Sequence, residues 1–213
     1  MNECFLHLNK NTVEEILLSK TENIQGDYLV NSLVHFEKLD TLSFFGCQEN
    51  PCDYIAQCIS LCLNLKKLHI SSIDNCSMEN LVKSICLLKN LQFLQLSKLR
   101  ENFIPDICCN LLELKKLNLT DYMITDSDLQ LISNLPKLEG LNISGNFLVT
   151  GEGLEKFTNL KALICKRCKR LKEDGLIKLL KCSNNLEILQ IQDCYKLTSN
   201  ILRVIYEVKK TVL

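Results

Sequence analysis

The sequence predicts an α/β solenoid of about eight strand–helix repeats, with a concave parallel sheet on one side and convex helices on the other. Three observations lead to this prediction. The apolar pattern L-x-x-L-x-L recurs every 22 to 26 residues, and a second apolar segment follows most copies at a nearly constant distance. Seven glycines and three prolines among 213 residues are few turn signals for an ordinary sheet protein. A regular repeat must therefore organise the turns.

Each repeat begins with a short predicted strand. Counting the first apolar residue of the pattern as position one, positions one, four and six are apolar in all eight copies. Because strand side chains alternate between faces, positions four and six point to the same side and form a buried ladder. The repeats start near Val13, Leu39, Leu65, Leu91, Leu114, Leu138, Leu160 and Leu186. We therefore assign an N-terminal cap segment to residues 1–12 and the repeat domain to residues 13–213.

A predicted helix follows the strand in most repeats. Segments 124–129, 149–154, 171–176 and 197–202 share an apolar residue, a short polar stretch and a second apolar residue. Ser, Thr and Asp in that stretch are typical helix caps, and the last residue opens a buried helix face. Segments 24–29 and 76–81 have the same spacing. The repeats that start at Leu39 and Leu91 fit poorly, so we expect short or irregular helices there.

A single repeat of this kind cannot bury its own apolar face. Stacked neighbours bury it in a continuous core, which produces a solenoid.

Composition and charge exclude several classes of protein. The chain has 25 basic and 25 acidic residues, and its apolar runs are short. Neutrality argues against nucleic acid or an anionic membrane as the partner of the whole molecule, and no segment is predicted to span a bilayer. The first ten residues do not resemble a secretory signal, so we expect a cytoplasmic or nuclear protein. The 13 cysteines are expected to be mostly free, buried thiols.

Cysteine at position nine links the repeats to a known family. Cys47, Cys168 and Cys194 stand three residues after the last core apolar residue, and I-T-D-x-x-L-like segments follow. Over about residues 13 to 210 the chain resembles the cysteine-containing leucine-rich repeats. That resemblance implies a ribonuclease-inhibitor-like horseshoe. It also implies a substrate-binding role like that of F-box/LRR subunits in SCF-type ubiquitin ligases. Position nine departs from the pattern at Thr21, Ile73, Leu99, Tyr122 and Asn146.

No clear F-box precedes the repeats. Twelve residues stand before Val13, and the loosely similar stretch 12–18 belongs to the first repeat. A cullin-type ligase adaptor would thus dock through another chain or a missing segment.

The motif C-x-x-C at Cys165–Cys168, with Cys182 and Cys194 nearby, could indicate zinc. The repeat frame favours packing instead, because Cys165 falls on the core ladder and Cys168 on the adjacent turn. A small thiol there fills space and bonds weakly to the loop backbone. We expect no metal and no cofactor.

Catalytic signals are scarce. The three histidines are His7, His35 and His69, and no H-E-x-x-H, G-x-S-x-G or P-loop motif occurs. His69 lies between Lys67 and Ser71 on one predicted strand, but no acid to orient it is evident. The sequence therefore favours a polar contact surface over an active site, and we expect no enzyme.

Residues at positions three, five and seven face away from the ladder and are not dictated by folding. They form the predicted partner-binding concave face, on which Phe45, Phe93, Ile164 and Ile188 are candidate anchors because solvent-facing apolar side chains suit a protein partner. Isolated exposed apolar residues are also ordinary in monomers. The full set is Phe45, Lys67, His69, Phe93, Gln95, Lys116, Asn118, Asn142, Ile164, Lys166, Ile188 and Gln190.

One stretch departs from neutrality. Residues 166–172 carry five positive charges in seven positions, which fits a localisation signal or a patch for an acidic partner. Its place at a strand exit favours a solvated edge, and no interleaved aromatic residues are present to stack bases.

Two functions fit these observations. One is a non-enzymatic module that presents a protein client to a ubiquitin ligase, as the resemblance implies. The other is a free-standing leucine-rich repeat scaffold or inhibitor, unrelated to ubiquitin, that binds a protein through the same face. A horseshoe fold does not specify its ligand, so sequence alone leaves the client open.

Overall fold

A computed structural model describes residues 11–19, 26–47, 51–73, 78–99 and 101–210. The chain forms two compact units that divide between Glu113 and Leu114, where the fifth repeat begins. Each unit contains four repeats and four parallel strands. The predicted N-terminal cap segment lies largely outside the described residues, as do the starts of segments 24–29 and 76–81.

The first unit pairs its four strands in one continuous register. Ile16, Leu42, Leu68 and Leu94, all at position four, lie side by side across the sheet. Each strand is followed by a helix, as the period predicts. The elements are β1 (Glu15–Ser19), α1 (Gly26–Leu33), β2 (Thr41–Phe45), α2 (Pro51–Leu61), β3 (Lys67–Ser71), α3 (Glu79–Ile85), β4 (Phe93–Ser97) and α4 (Ile104–Asn110).

The second unit repeats this plan with shorter strands. Leu117, Leu141, Leu163 and Leu189 lie in register. Its elements are β5 (Lys116–Asn118), α5 (Asp126–Ile132), β6 (Gly140–Asn142), a 3-10 turn (Leu154–Lys156), β7 (Ala162–Ile164), α6 (Glu173–Cys182), β8 (Ile188–Gln190) and α7 (Asn200–Lys210).

The predicted apolar ladder is the core of each unit. Of its positions, all but Val13, Leu189 and Ile191 are buried. Those three lie in the first and last repeats, which have a described neighbour on one side only. Burial of the ladder by neighbouring repeats confirms the predicted α/β repeat architecture.

Two helix predictions were wrong. The repeat at Leu39 contains the 11-residue helix α2, which starts with proline, a residue favoured at the first helical position. Cys52, Ile55, Ala56 and Ile59 form its buried stripe. Segment 149–154 yields only the 3-10 turn, because Gly151 and Gly153 adopt φ values of 96° and 93° that an α-helix does not permit. The short helix α4 was predicted correctly.

Helix capping follows the prediction at Thr125 and at Thr198 and departs from it at Thr150. Thr125 and Asp128 form a capping box at the start of α5. Thr150 and Thr198 both bind the acidic residue that begins the helix of the preceding repeat, and the Thr198 hydroxyl also accepts the Asn200 backbone N–H at 3.2 Å, at the start of α7. The Thr150 hydroxyl donates to Asp126 Oδ2 at 2.6 Å, and the Thr198 backbone N–H donates to Glu173 Oε1 at 2.6 Å. These bonds join consecutive repeats on their helical side.

The turn after each strand contains a left-handed residue at position eight. Every described repeat that includes this position has it, and five of the seven residues are not glycine. Such residues have φ values that cost free energy unless the surrounding structure compensates. The residues are Gly46, Ser72, Lys98, Asp121, Gly145, Arg167 and Asp193.

In three repeats of the second unit, the side chain at position nine bonds to the backbone of the repeat before it; for the two cysteines, a thiol that bonds to backbone was expected. The Cys168 Sγ donates to the Ile143 carbonyl at 3.2 Å, and Cys194 Sγ to the Cys165 carbonyl at 2.9 Å. Asn146 replaces cysteine with the same bond, from its Nδ2 to the Leu119 carbonyl at 2.8 Å. In these three repeats, position nine thus supplies a hydrogen-bond donor to a carbonyl at the end of the preceding strand.

The other cysteines divide by location. Cys58 and Cys62 are buried, as expected, but Cys109 and Cys182 are exposed. Cys52 is disulfide-bonded, whereas we expected free thiols. Within the described part of the chain, no group of three or more His, Cys, Asp and Glu side chains is arranged to hold a metal ion.

Candidate functional site

The predicted contact residues lie on the face of each sheet that points away from the ladder, which we call the strand face. Strand alternation places them there: in β1 the side chains at positions four and six are buried and those at three, five and seven are exposed. All twelve predicted contact residues are half-buried or exposed. Five of them lie in the first unit and seven in the second.

An aromatic row crosses the strand face of the first unit diagonally. Phe45 lies at position seven on β2, His69 at position five on β3 and Phe93 at position three on β4. Each aromatic residue is therefore two positions earlier in its strand than the one before it. The rings of His69 and Phe93 stack at 29° with centroids 4.7 Å apart, and the Phe45 and His69 rings are tilted with centroids 6.3 Å apart. These distances are those of favourable ring pairs.

Polar groups border the aromatic row. The Nδ1 atom of His69 lies 3.4 Å from Oε1 of Gln95, the residue opposite it on β4. Lys67 is exposed and lies opposite Phe93 in the register. The five predicted contacts of this unit therefore form one patch with apolar rings at its centre and polar groups around them.

Leu17 belongs to this face, but we did not select it from the sequence. It lies on β1 opposite Ser43, and 58% of its surface is exposed. The alternating pattern places it at position five, so the signal was present in the sequence. Its exposure extends the apolar surface toward the edge strand of the first unit.

Hydroxyl side chains at position seven do not form an open polar band. Ser97 and Ser144 are buried, and Ser97 Oγ has no hydrogen-bond partner among the described residues. Ser43 and Thr41, at positions five and three, are buried as well. Larger neighbours in the register, such as Leu17 and His69 beside Ser43, explain how short side chains on this face lose solvent contact.

In the second unit, two of the predicted contact residues, Asn118 and Asn142, also form hydrogen bonds within their own strand exits. Asn142 Oδ1 accepts hydrogen bonds from the Ser144 backbone N–H at 3.0 Å and from its hydroxyl at 2.7 Å. Asn118 does the same for Thr120, at 3.1 and 2.7 Å. These are asparagine turns that shape the strand exit. The bonds hold both asparagines in fixed orientations on the strand face.

Among the remaining predicted contact residues of the second unit, Lys116 and Ile188 lie beside the small residues Gly140 and Ala162. The Lys116 side chain packs over Gly140, where an added Cβ would lie 3.2 Å from Lys116 Cγ. Ile188 is 47% exposed and lies opposite Ala162, while the half-buried Ile164 lies opposite Gln190. Lys166 is half-buried at position seven of the same repeat as Ile164. The face is thus a shallow surface with two isoleucines and two lysines.

Thiols in the second unit differ in acidity. When protonated, the Cys194 thiol donates to the Cys165 carbonyl. The pKa of Cys194 is nevertheless lowered to about 7, mainly because the Cys165 thiol can donate a hydrogen bond to the Cys194 thiolate, although burial opposes this. The same contact and burial raise the pKa of Cys165, and burial raises that of Cys168 to about 11. In the first unit, burial raises the pKa of Cys58 to about 12 and of Cys62 to about 11.

Chemically, the strand face suits contact with a partner. On the strand faces of the described residues, the histidine is His69. Its neighbours are the Phe45 and Phe93 rings and the Gln95 amide, and none of these groups can serve as the orienting acid of a catalytic pair. Among the helices of the described residues, none is both long and apolar enough to cross a bilayer.

No family model and no curated protein sequence matches the chain. Solved structures do match. A chain of the crystal structure of the Rad7 and Elc1 complex in yeast is similar with a TM-score of 0.64 and 16% identity, over 97% of this chain and 63% of that one. The present chain therefore spans less than two thirds of its length.

Two internalins of Listeria monocytogenes are similar at lower scores. InlP has a TM-score of 0.47 and 18% identity, over 76% of this chain and 49% of that one. InlF has a TM-score of 0.49 and 13% identity, over 92% of this chain and 72% of that one.

The match to the yeast chain and the observed repeats agree with one another. The repeated L-x-x-L-x-L pattern predicted the parallel strands and the buried ladder at positions four and six, and the resemblance to cysteine-containing leucine-rich repeats implied the same repeat fold. The chain has the leucine-rich repeat fold.

Proposed function

We propose that this protein is a non-enzymatic interaction module that binds a protein client on its strand face. The aromatic row of Phe45, His69 and Phe93 carries the proposal. These rings lie outside the apolar ladder, so folding of the repeats does not require them. Aromatic side chains at the centre of a polar rim are typical of the residues that dominate protein–protein binding energies.

Charge supports a protein as the client. The chain is neutral overall, and the polar groups that border the aromatic row are Lys67 and Gln95. A nucleic acid would require a broad basic surface with many phosphate contacts. Apolar rings beside single polar groups fit a protein surface of mixed character instead. Ile164 and Ile188 would supply apolar contacts on the second unit.

More specifically, we propose that the client is presented to an SCF-type ubiquitin ligase in the cytoplasm or nucleus. This rests on the resemblance to the substrate-binding region of F-box/LRR subunits. The similar yeast chain was solved in a complex with another protein, which supports assembly with a second chain. A cullin-type adaptor would be reached through another chain or a segment outside this sequence.

A free-standing scaffold or inhibitor is the second candidate. The strand face supports it equally well, because the same aromatic row would bind a protein without any ligase. The two candidates differ in what accompanies the client. An adaptor that co-purifies in a stable complex favours the ligase, whereas a stoichiometric client without an adaptor favours the scaffold.

The test is affinity purification from native cells with the Phe45→Ala/Phe93→Ala variant. We expect the variant to lose the client that the unmodified protein captures, with thermal stability little changed. The matched control is Leu61→Ala/Leu87→Ala, which removes two exposed apolar side chains of the first unit that lie outside its strands. Undiminished capture by the phenylalanine variant, or equal loss in the control, would contradict the proposal.

A further inference from the structure

A second surface lies in the second unit, where the strands run into their turns. We call it the turn edge and define it by Met123, Phe147, Lys169 and Tyr195, which occupy position ten of four consecutive repeats, together with Arg167 and Arg170. From the sequence we expected a solvated basic edge without interleaved aromatic residues. The structure shows that aromatic side chains from neighbouring repeats flank the basic stretch.

Hydrogen bonds between consecutive turns order this edge. The N–H of position eight donates to the carbonyl of position seven in the next repeat: Asp121 to Ser144 at 2.9 Å, Gly145 to Lys166 at 2.8 Å, and Arg167 to Gln192 at 2.8 Å. The strand spacing of about 4.8 Å therefore continues into the turns. Four residues at position ten form a row about 15 Å long, the span of a short extended peptide.

Most of this row is apolar and exposed. Met123 is 53% exposed, Phe147 44% and Tyr195 76%. These positions do not contribute to the ladder, and Met123 and Phe147 stand on neighbouring turns, while Lys169 stands between Phe147 and Tyr195 in the row. Met, aromatic residues and Arg are the types enriched where proteins bind one another.

Positive charge concentrates beside Phe147. A surface cleft of about 560 Å³ is lined by Asp121, Gly145, Phe147, Arg167, Lys169 and Arg170, which is three cations against one carboxylate. Arg167 Nη2 lies 3.6 Å from Asp121 Oδ2. Lys169 and Arg170 are exposed and make no ion pair with any described residue.

Gly145 shapes the floor of the cleft. An added Cβ would lie 1.7 Å from Asp121 Oδ1, so the carboxylate occupies space that only glycine leaves open. Asp121 can thereby reach Arg167 across the intervening turn. This pair holds one end of the cleft in place, while Lys169 and Arg170 remain available to a ligand.

We propose that the turn edge docks an acidic segment of a protein partner, with carboxylates at Lys169 and Arg170 and an apolar side chain against Phe147. The positive charges of the cleft favour a segment rich in carboxylates. The exposed side chains of Met123, Phe147 and Tyr195 favour a segment that also carries an apolar group. Nucleic acid fits less well, because Asp121 and Asp193 lie in the same turns and the neutral chain attracts no polyanion from a distance.

The test measures binding of a fluorescent synthetic peptide, rich in glutamate with one central phenylalanine, to the full chain by anisotropy. We expect saturable binding that weakens with salt. Lys169→Glu/Arg170→Glu should weaken it by about tenfold or more, and Phe147→Ala by roughly threefold to tenfold. Lys178→Glu/Lys181→Glu is the matched control, because it makes the same charge change at exposed positions of α6 and should alter binding less than about twofold.

Three results would overturn the proposal: no saturable binding, an equal loss in the Lys178/Lys181 control, or tighter binding of a single-stranded oligonucleotide than of the peptide. Circular dichroism confirms that each variant is folded. Phe45→Ala/Phe93→Ala should leave peptide binding unchanged, so failure here and failure of the strand-face proposal are separate outcomes.

Discussion

The Asn146 side chain donates a hydrogen bond from Nδ2 to the Leu119 carbonyl of the preceding repeat, at 2.8 Å. A second bond from Nδ2 reaches the Ile143 carbonyl at 2.8 Å, and Oδ1 accepts from the Ile124 backbone N–H at 3.0 Å. The residue is fully buried. One side chain at position nine thus satisfies three backbone groups from two repeats, where cysteine satisfies fewer.

We expect Asn146→Ala to lower the free energy of unfolding by about 2–4 kcal/mol, because buried backbone groups lose their partners. Asn146→Cys should cost less, since a thiol can still donate to the Leu119 carbonyl as Cys168 does to Ile143. Urea denaturation monitored by circular dichroism measures both. Equal losses for the two variants would contradict the role of position nine as a donor.

Truncation of the ladder should be costly. Leu117 is buried at position four of the fifth repeat, so Leu117→Ala leaves a cavity and should lower the free energy of unfolding by roughly 2–5 kcal/mol. Leu112→Ala, at an exposed position, is the control and should change it by less than about 0.5 kcal/mol. A loss of similar size in both variants would mean that the ladder does not support the fold.

Gly145 should tolerate no side chain while Asp121 is present. At a φ of 77°, and with Asp121 Oδ1 in the place of its Cβ, Gly145→Ala should destabilise the protein by about 1–3 kcal/mol. Removing the carboxylate relieves the clash but not the backbone strain. The double variant Asp121→Ala/Gly145→Ala should therefore lose less than the sum of the two single variants in a double-mutant cycle. Additive losses would show that the two residues do not interact.

Alkylation should distinguish Cys194 from other buried thiols. With a pKa lowered to about 7, its labelling by iodoacetamide should rise with pH through about 7, because the thiolate is the nucleophile. Cys58, whose pKa burial raises to about 12, should stay unreactive over the same range. The measurement is mass spectrometry of peptides from a Cys109→Ser/Cys182→Ser background, which removes the two exposed thiols of the described residues.

Asp193 provides the control for that assignment. Its negative charge raises the pKa of Cys194, so Asp193→Asn should shift the labelling midpoint to lower pH. A shift to higher pH, or a Cys194 midpoint above 8 in the unmodified protein, would contradict the assigned environment.

Sequence reasoning succeeded where a feature depends on residue type within one repeat. The buried Leu68 and Leu94 and the exposed Lys67 follow from alternation along a strand, and the capping box of Thr125 follows from its local spacing. Prediction failed at α2 and at segment 149–154, where a proline start and two left-handed glycines outweighed the repeat pattern. Those local backbone effects differ from one repeat to the next.

By itself, the sequence determined the apolar ladder and which strand residues point away from it, because both follow from alternation along a strand and from a period of 22 to 26 residues in the order of residue types. Tertiary structure decided which side chains meet. His69 and Phe93 are 24 residues apart, and Phe147 and Lys169 are 22 apart, yet stacking makes each pair neighbours. Contacts between repeats depend on strand register and turn geometry. Both change with small differences in repeat length, so residue types within one repeat do not specify these contacts.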